Sequence, residues 1–322
     1  MSSVGSPPTS PMVAGLLALG LAAIFVPGVL RWARRVGAGQ HVREDGPRSH
    51  LSKEGTPTLG GVACIPALAL GAMAVGWRSP EVFLLCSLTL LFALWGAFDD
   101  YSKIFFRRPL GIKARHKLAA QAFFGLLFLW AAHQRFGLPA VQLGPSATWT
   151  PPAWVYLPLG VLFIAGFSNA ANLTDGMDGL AGGVVAIAAA GMGTLTAAQG
   201  KTAVALFCFA MAGACLGFLI YNVNPARIFM GDTGALALGA GLGGAAILSG
   251  LPLYLLLAGA ALPLEAASVV AQVISFQTTG KRVLRMSPLH HHFELCGHGE
   301  KAVVRGFWMA TLATVVVAGA IW

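Results

Sequence analysis

Charged side chains are what this sequence lacks most: Asp, Glu, Lys and Arg make up only 10% of 322 residues, against 56% hydrophobic. Soluble domains carry about 25% charged residues, so water is not the main solvent of this chain. Cysteine is also sparse. Cys64, Cys86, Cys208, Cys215 and Cys296 show no paired spacing, and four of the five fall in long apolar runs, which makes them packing residues. No low-complexity tail, soluble domain or clear internal repeat is visible. The first apolar run has no basic stretch before it and no small-residue cleavage site, and it reads as a retained span.

What is present is a series of long uncharged runs. A spanning helix needs about 20 mostly apolar residues to cross about 30 Å of hydrocarbon. Ten candidates lie near 12–30, 60–77, 80–98, 117–134, 153–170, 179–199, 202–221, 233–249, 252–275 and 302–322. The expected fold is an all-α polytopic membrane bundle of about ten transmembrane helices, forming a single integral membrane domain over 1–322. Cytoplasmic loops carry the excess of Lys and Arg. The odd-numbered loops hold 18 of the 21 basic residues, and only Arg78, Arg135 and Lys201 fall on the other side. Both termini are therefore expected to be extracytoplasmic. The formal charge of +9 is then a topology signal and an attraction for anionic lipids and substrates; it is not a nucleic-acid footprint.

Only 12 residues are acidic, and ionisable groups in or beside spans are expensive unless they have a function. Asp99 and Asp100 end the third run. Asp175 and Asp178 sit in Asn-Leu-Thr-Asp-Gly-Met-Asp-Gly, and Asp232 opens the eighth run in Phe-Met-Gly-Asp-Thr-Gly. All five face the cytoplasm in this topology. Helix capping is the plain alternative for Asp178 and Asp232. It does not serve Asp99 and Asp100, which stand near a helix C-terminus where the dipole disfavours negative charge and where each repels the other. A divalent cation would relieve that conflict. Carboxylates without a neighbouring Cys or His pair suit Mg²⁺ or Mn²⁺. Together with Lys103 and Lys117, the pattern describes phosphoryl transfer, where catalysis is largely positioning and charge neutralisation.

The ninth loop carries Pro288-Leu289-His290-His291-His292-Phe293-Glu294. Three adjacent side chains do not easily converge on one transition metal. Imidazoles donating to phosphate or sugar oxygens are the better reading, with one of the three only packing the loop. Glu265, inside the ninth run, requires a partner or a water-lined groove.

These residues carry a resemblance. The run Gly55-Thr56-Pro57-Thr58-Leu59-Gly60-Gly61, Asp99-Asp100-Tyr101, Ser168-Asn169-Ala170-Ala171-Asn172-Leu173-Thr174-Asp175-Gly176, Asn222 with Pro225-Ala226, Phe229-Met230-Gly231-Asp232 and the His290 segment follow one another. In that order the sequence resembles the phospho-N-acetylmuramoyl-pentapeptide transferases, within the polyprenyl-phosphate N-acetylhexosamine-1-phosphate transferase superfamily. The blocks from Gly39-Gln40 to Asp45-Gly46-Pro47 and Ser49-His50 belong to the same match, which runs from about 39 to 308. The Pro-Leu-His-His-His-Phe-Glu run is similar to the muramoyl-pentapeptide branch in particular. Ala235, where a Ser is common, and Gly306 beside Arg305 depart from the pattern without touching a carboxylate.

The resemblance implies transfer of phospho-N-acetylmuramoyl-pentapeptide from UDP-MurNAc-pentapeptide to undecaprenyl phosphate, giving lipid I and UMP with Mg²⁺ in a bacterial inner membrane, and leaves a homodimer open as the assembly. Asp232 is expected to ligate the metal at the mouth of a helix whose dipole favours the anionic donor. Asp99 is expected to bind or deprotonate the lipid phosphate, and Asp100 to support it or share the metal. Phe229 is expected to stack on uracil, with Lys53, Thr58, Asn172, Asp175, Asp178 and Asn222 as polar contacts. Lys103, Arg107 and Lys117 are expected to neutralise phosphate, and His290 and His291 to hold the donor's phosphate or sugar. The rivals are a sister transferase moving N-acetylglucosamine-1-phosphate and, from another class, an anion transporter built on broken helices.

Overall fold

The computed structural model describes residues 10–39, 53, 55–105 and 111–322. Among them are twelve helices. They are α1 (Ser10–Arg35), α2 (Gly61–Gly76), α3 (Pro80–Phe105), α4 (Ala114–Phe136), α5 (Ala153–Thr174), α6 (Leu180–Ala198), α7 (Thr202–Asn222), α8 (Gly231–Ser249), α9 (Pro252–Ala258), α10 (Ala261–Thr279), α11 (Leu289–Leu295) and α12 (Glu300–Ile321). The described strands form one short antiparallel hairpin, β1 (Val141–Gln142) with β2 (Thr148–Trp149), in which Val141 faces Trp149. An all-α bundle is what hydrocarbon demands, because a helix satisfies its backbone polar groups within itself.

The span count differs from the sequence expectation of ten. Among the described residues, seven helices are long and apolar enough to cross a bilayer, and eight if the bent pair α9 and α10 is one span. α2 is apolar but only 16 residues long. α4 falls outside the set because Arg115, His116 and Lys117 occupy its first turn and His133 and Arg135 its last, which shortens its apolar stretch. The expected ninth span, 252–275, is not one helix: the chain turns by 80° between Ala258 and Ala261. Pro263 fits the site of the break, since it lies in the first turn of α10, where its missing N–H cannot carry the ladder back to Gly259 at the end of α9.

α8 is the axis of the bundle. Its apolar window is 89% buried, against 28% for α1 and 17% for α12. Small residues allow this, because van der Waals contact rather than hydrophobic driving force holds helices together in lipid. A Cβ at Gly61 would overlap the backbone of Gly234, so α2 and α8 meet main chain to main chain. α3 and α5 flank α8, and α7 packs on α1. Leu16, Ile24, Phe83, Leu94, Leu162, Met309 and Val316 are exposed on the outer helices, where lipid tails would cover them.

Lys201, one of the three basic residues on the sparsely charged side, has a structural task. Its ammonium donates to the Ser249 carbonyl and to Gln199 Oε1, each at 2.7 Å, and so satisfies the C-terminal end of α8. Partial burial lowers its pKa.

Candidate active site

At the opposite end of α8, side chains from four helices converge. α8 opens at Gly231, which has φ +73° and where a Cβ would come within 2.7 Å of Asp100 Oδ2 and 3.1 Å of Thr58 Oγ1. Glycine is required there on both counts. Asp100, on α3, uses its carboxylate to cap α8 from outside the helix. Oδ1 accepts the Asp232 N–H at 3.1 Å, and Oδ2 accepts the Thr233 N–H at 2.9 Å and the Thr233 hydroxyl at 2.6 Å. Three of the α8 N-terminal donors and hydroxyls that would otherwise be orphaned are thus satisfied by a charge the dipole favours.

Asp99, one residue earlier, points to the other side. Its Oδ1 accepts the Ile112 N–H at 2.7 Å. Its Oδ2 lies 2.8 Å from Lys103 Nζ, one turn further along α3, and 2.7 Å from Lys117 Nζ, in the first turn of α4. Both ammoniums also reach Asp232 Oδ2, each at 2.9 Å. Asn172, from the last turn of α5, donates to Asp232 Oδ1 at 2.9 Å. Two carboxylates and two ammoniums from three helices thus close a four-membered ring of charge, with Asp99 fully buried. Asp175, at the C-cap of α5, is half-buried beside it. Burial first, and then the charges of Asp232 and Asp100, push its carboxyl well above the ordinary carboxylate range, against a hydrogen bond from the Gly231 N–H.

A second cluster lies along the α5–α6 loop. Lys53 Nζ bonds Asp178 Oδ1 at 2.7 Å and Glu300 Oε1 at 2.5 Å. Asn224 donates to both carboxylates, at 3.1 and 3.0 Å, and the Asp178 N–H donates to Glu300 at 2.8 Å. Asn222 holds the same loop through the Gly179 N–H at 3.1 Å and anchors the Ile228 carbonyl at 2.9 Å. The half-buried Phe229 is fixed by its main chain, which donates to Pro57 and accepts from Gly60, each at 2.8 Å. Thr58, which follows Pro57, is buried against Gly231.

The third cluster is the histidine segment, which folds as α11. His290 is buried on Glu265 of α10, and His291 lies 3.3 Å from Glu294. A Cβ at Gly176 would overlap the His290 ring, so the loop that carries Asp175 and Asp178 rests directly on this imidazole.

The α5–α6 loop therefore joins all three groups, and the residues singled out in the sequence gather around it. Arg107 and the motif block over 40–50 lie outside the described residues. Sequence reasoning missed Glu300 and Asn224. A Glu in the first turn of a helix is ordinarily a response to the helix dipole, so nothing local marks Glu300 as a partner of Lys53. Glu265 was recognised as needing a partner, but its identity depends on the bend between α9 and α10.

The model of the family described as glycosyl transferase family 4 matches residues 82–250. Among similar curated proteins, the phospho-N-acetylmuramoyl-pentapeptide-transferase of Moorella thermoacetica is 46% identical over 302 residues, covering 92% of this chain and 95% of that protein. The proteins of the same name from Bacillus pumilus and Geobacillus kaustophilus are 42% and 41% identical, over 306 and 308 residues. These alignments cover 94% and 93% of this chain and 93% of each relative.

Proposed function

The chain belongs to glycosyl transferase family 4 and, within it, to the phospho-N-acetylmuramoyl-pentapeptide-transferases, and on that premise we propose that it moves phospho-N-acetylmuramoyl-pentapeptide from UDP-MurNAc-pentapeptide to a polyprenyl phosphate. Undecaprenyl phosphate is the acceptor in this reading, lipid I and UMP are the products, and peptidoglycan synthesis is the process served. The protein works in the bacterial inner membrane with its site open to the cytoplasm. The observation that carries the reading is the ring formed by Asp99, Asp232, Lys103 and Lys117, at the end of the bundle where a lipid phosphate and a soluble nucleotide sugar can meet.

An oxygen of the acceptor phosphate attacks the donor's β-phosphorus. The bond from that phosphorus to the bridging oxygen breaks, and UMP leaves with the electron pair. A phosphate monoester has a second pKa of about 6, so the acceptor is largely dianionic at neutral pH and needs no strong base. That bears on Asp99, whose two oxygens already accept three donors. Of the two roles open to it, binding is favoured: it holds Lys103 and Lys117 where they meet the acceptor phosphate. Asp100, both of whose oxygens serve the start of α8, supports Asp232 through the helix. Lys103 and Lys117 neutralise the charge that accumulates in the transition state.

The donor set suits Mg²⁺. Asp99, Asp100 and Asp232 outnumber Lys103 and Lys117, and Asp175 stands beside them with its carboxyl pushed up first by burial and then by the charges of Asp232 and Asp100. Mg²⁺ commonly takes one or two carboxylates together with substrate phosphates, so a single aspartate at the mouth of α8 is enough on the protein side. Asp232 would hold it. Bound there, the ion would supply charge neutralisation at the diphosphate. Lys53, Thr58, Asn172, Asp175, Asp178, Asn222 and Phe229 are assigned to the nucleotide end of the donor, and His290 and His291 to its phosphate and sugar. A homodimer belongs to the same reading, and sedimentation of the purified protein in detergent checks it.

Release of UMP tests the assignment. Asp232→Asn and Asp99→Asn are each expected to lower kcat by on the order of 10²–10³, the loss seen when one preorganised electrostatic group is removed. Full Mg²⁺-dependent turnover in both variants would place the chemistry elsewhere. Direct attack further predicts that labelled UMP does not exchange into the UDP-sugar without lipid acceptor. Exchange under those conditions would require a covalent enzyme intermediate.

A further inference from the structure

Glu265 and His290 are both 0% exposed, and the mechanism above uses only one of them. Glu265 sits in an apolar helix that follows the 80° turn, a place where an unpaired carboxylate is unfavourable. Its partner is the histidine segment. The His290 N–H donates to Glu265 Oε1 at 3.2 Å, and His290 Nδ1 lies 3.2 Å from Oε2. One carboxylate therefore accepts the backbone N–H through Oε1 and sets Oε2 within 3.2 Å of ring Nδ1 of the same residue, close enough for a small ring rotation to complete the second bond.

Neither ring nitrogen completes a hydrogen bond among the described residues, and they differ in what they face. His290 Nε2 is buried with no hydrogen-bond partner among the described residues. It rests against Gly176, between Asp175 and Met177, on the loop that joins the three clusters. Buried ring nitrogens are normally satisfied. A nitrogen left bare in a candidate substrate site, on a ring held from behind, points to a ligand atom as its intended partner. A carboxylate beside Nδ1 favours the proton on that nitrogen, which leaves the lone pair of Nε2 directed at the α5–α6 loop beside Asp175.

We propose that Glu265 is a positioning residue for His290: it holds the Nδ1–H tautomer and the ring orientation, so that Nε2 accepts a hydrogen bond from a hydroxyl or amide N–H of the donor sugar. The proposal rests on the assignment of His290 to the donor and narrows it, from phosphate or sugar to a hydrogen-bond donor on the sugar. Gly176 belongs to the same device, because only a residue without Cβ lets the loop reach the ring.

The test uses the full chain purified in detergent, with UDP-MurNAc-pentapeptide and a polyprenyl phosphate. Glu265→Gln is nearly isosteric but can turn its amide N–H₂ toward Nδ1 and reverse the tautomer. Donor KM is expected to rise by on the order of tenfold, the scale of losing a group that orients a functional histidine, with acceptor KM unchanged. In a His290→Gln background the same substitution should add almost nothing, because the two act as one unit. Nitrogen-15 spectra of histidine-labelled protein, with His290 assigned by its loss in His290→Gln, should show a protonated Nδ1 and a bare Nε2 in the parent and the reverse or a mixture in Glu265→Gln. Unchanged donor kinetics in Glu265→Gln alongside impaired His290→Gln would overturn the role of Glu265 alone. Unchanged donor kinetics in His290→Gln would overturn the donor assignment beneath it. A parent spectrum with the proton on Nε2 would overturn the acceptor role even if the kinetics coupled.

Discussion

Asp175 shows how the site's chemistry is stored as strain on single residues. Its carboxyl is held well above the ordinary range by burial and by Asp232 and Asp100. The unfolded chain, with an Asp value of about 3.9, therefore ionises more readily than the folded one. Above that value the unfolded chain releases its proton while the folded carboxyl is held back from ionising, which favours unfolding; below it the carboxyl is protonated in both states and the penalty vanishes. Asp175→Asn is accordingly expected to raise the thermal midpoint in metal-free detergent at pH 7, with a gain that shrinks as the pH is lowered toward about 4. A midpoint that is unchanged or lower at pH 7 would contradict the electrostatic account. The same substitution should impair turnover, as is usual where a site keeps an unfavourable group for function. The sequence marked this residue by its place in Asn-Leu-Thr-Asp-Gly. It could not reveal that the neighbours setting its charge arrive from α3 and α8.

At the scale of elements, α8 is the clearest case of a helix stabilised from outside itself. Its sequence is mostly Gly and Ala, and glycine in a helix interior costs roughly 1 kcal/mol relative to alanine. The compensation is tertiary: Asp100 covers two of its N-terminal N–H groups, Lys201 its last carbonyl at Ser249, and close backbone packing surrounds its length. Asp100→Ala should leave at least two buried N–H groups without partners, at about 1–3 kcal/mol each. The expected result is a loss of about 2–6 kcal/mol of stability, measured by thermal or denaturant unfolding in detergent, together with loss of activity as Asp232 loosens. A variant that retained stability while losing turnover would assign Asp100 to the chemistry instead. The ninth run failed as a single span for a related reason. Composition showed a continuous apolar stretch, but the chain breaks just before Pro263, and the resulting bend carries Glu265 beneath His290.

Over the whole molecule, charge and topology agree. The ring of Asp99, Asp232, Lys103 and Lys117 and the Lys53 cluster lie at one end of the bundle. The Lys201 network lies at the other end, where the basic count is low. Cys296 is exposed just after α11, whereas Cys64, Cys86, Cys208 and Cys215 are buried. A membrane-impermeant thiol reagent is expected to label Cys296 alone, and only when the cytoplasmic face is open, as in inverted vesicles. Labelling in sealed, right-side-out cells would reverse the orientation.

The sequence alone determined that the chain spans a membrane, that it is helical and which face is basic, because hydrocarbon admits only helices or closed barrels and continuous apolar runs of about 20 residues fit the helix. It also named the aspartates and lysines of the site, since charge in hydrocarbon is too costly to be incidental. Which residues meet was decided by the tertiary structure. Asp99 faces two lysines while its neighbour Asp100 caps a helix, because adjacent positions on α3 point in different directions. Lys53 meets Glu300, and Glu265 meets His290, across separations that no local pattern records, since those contacts exist only once the helices have packed.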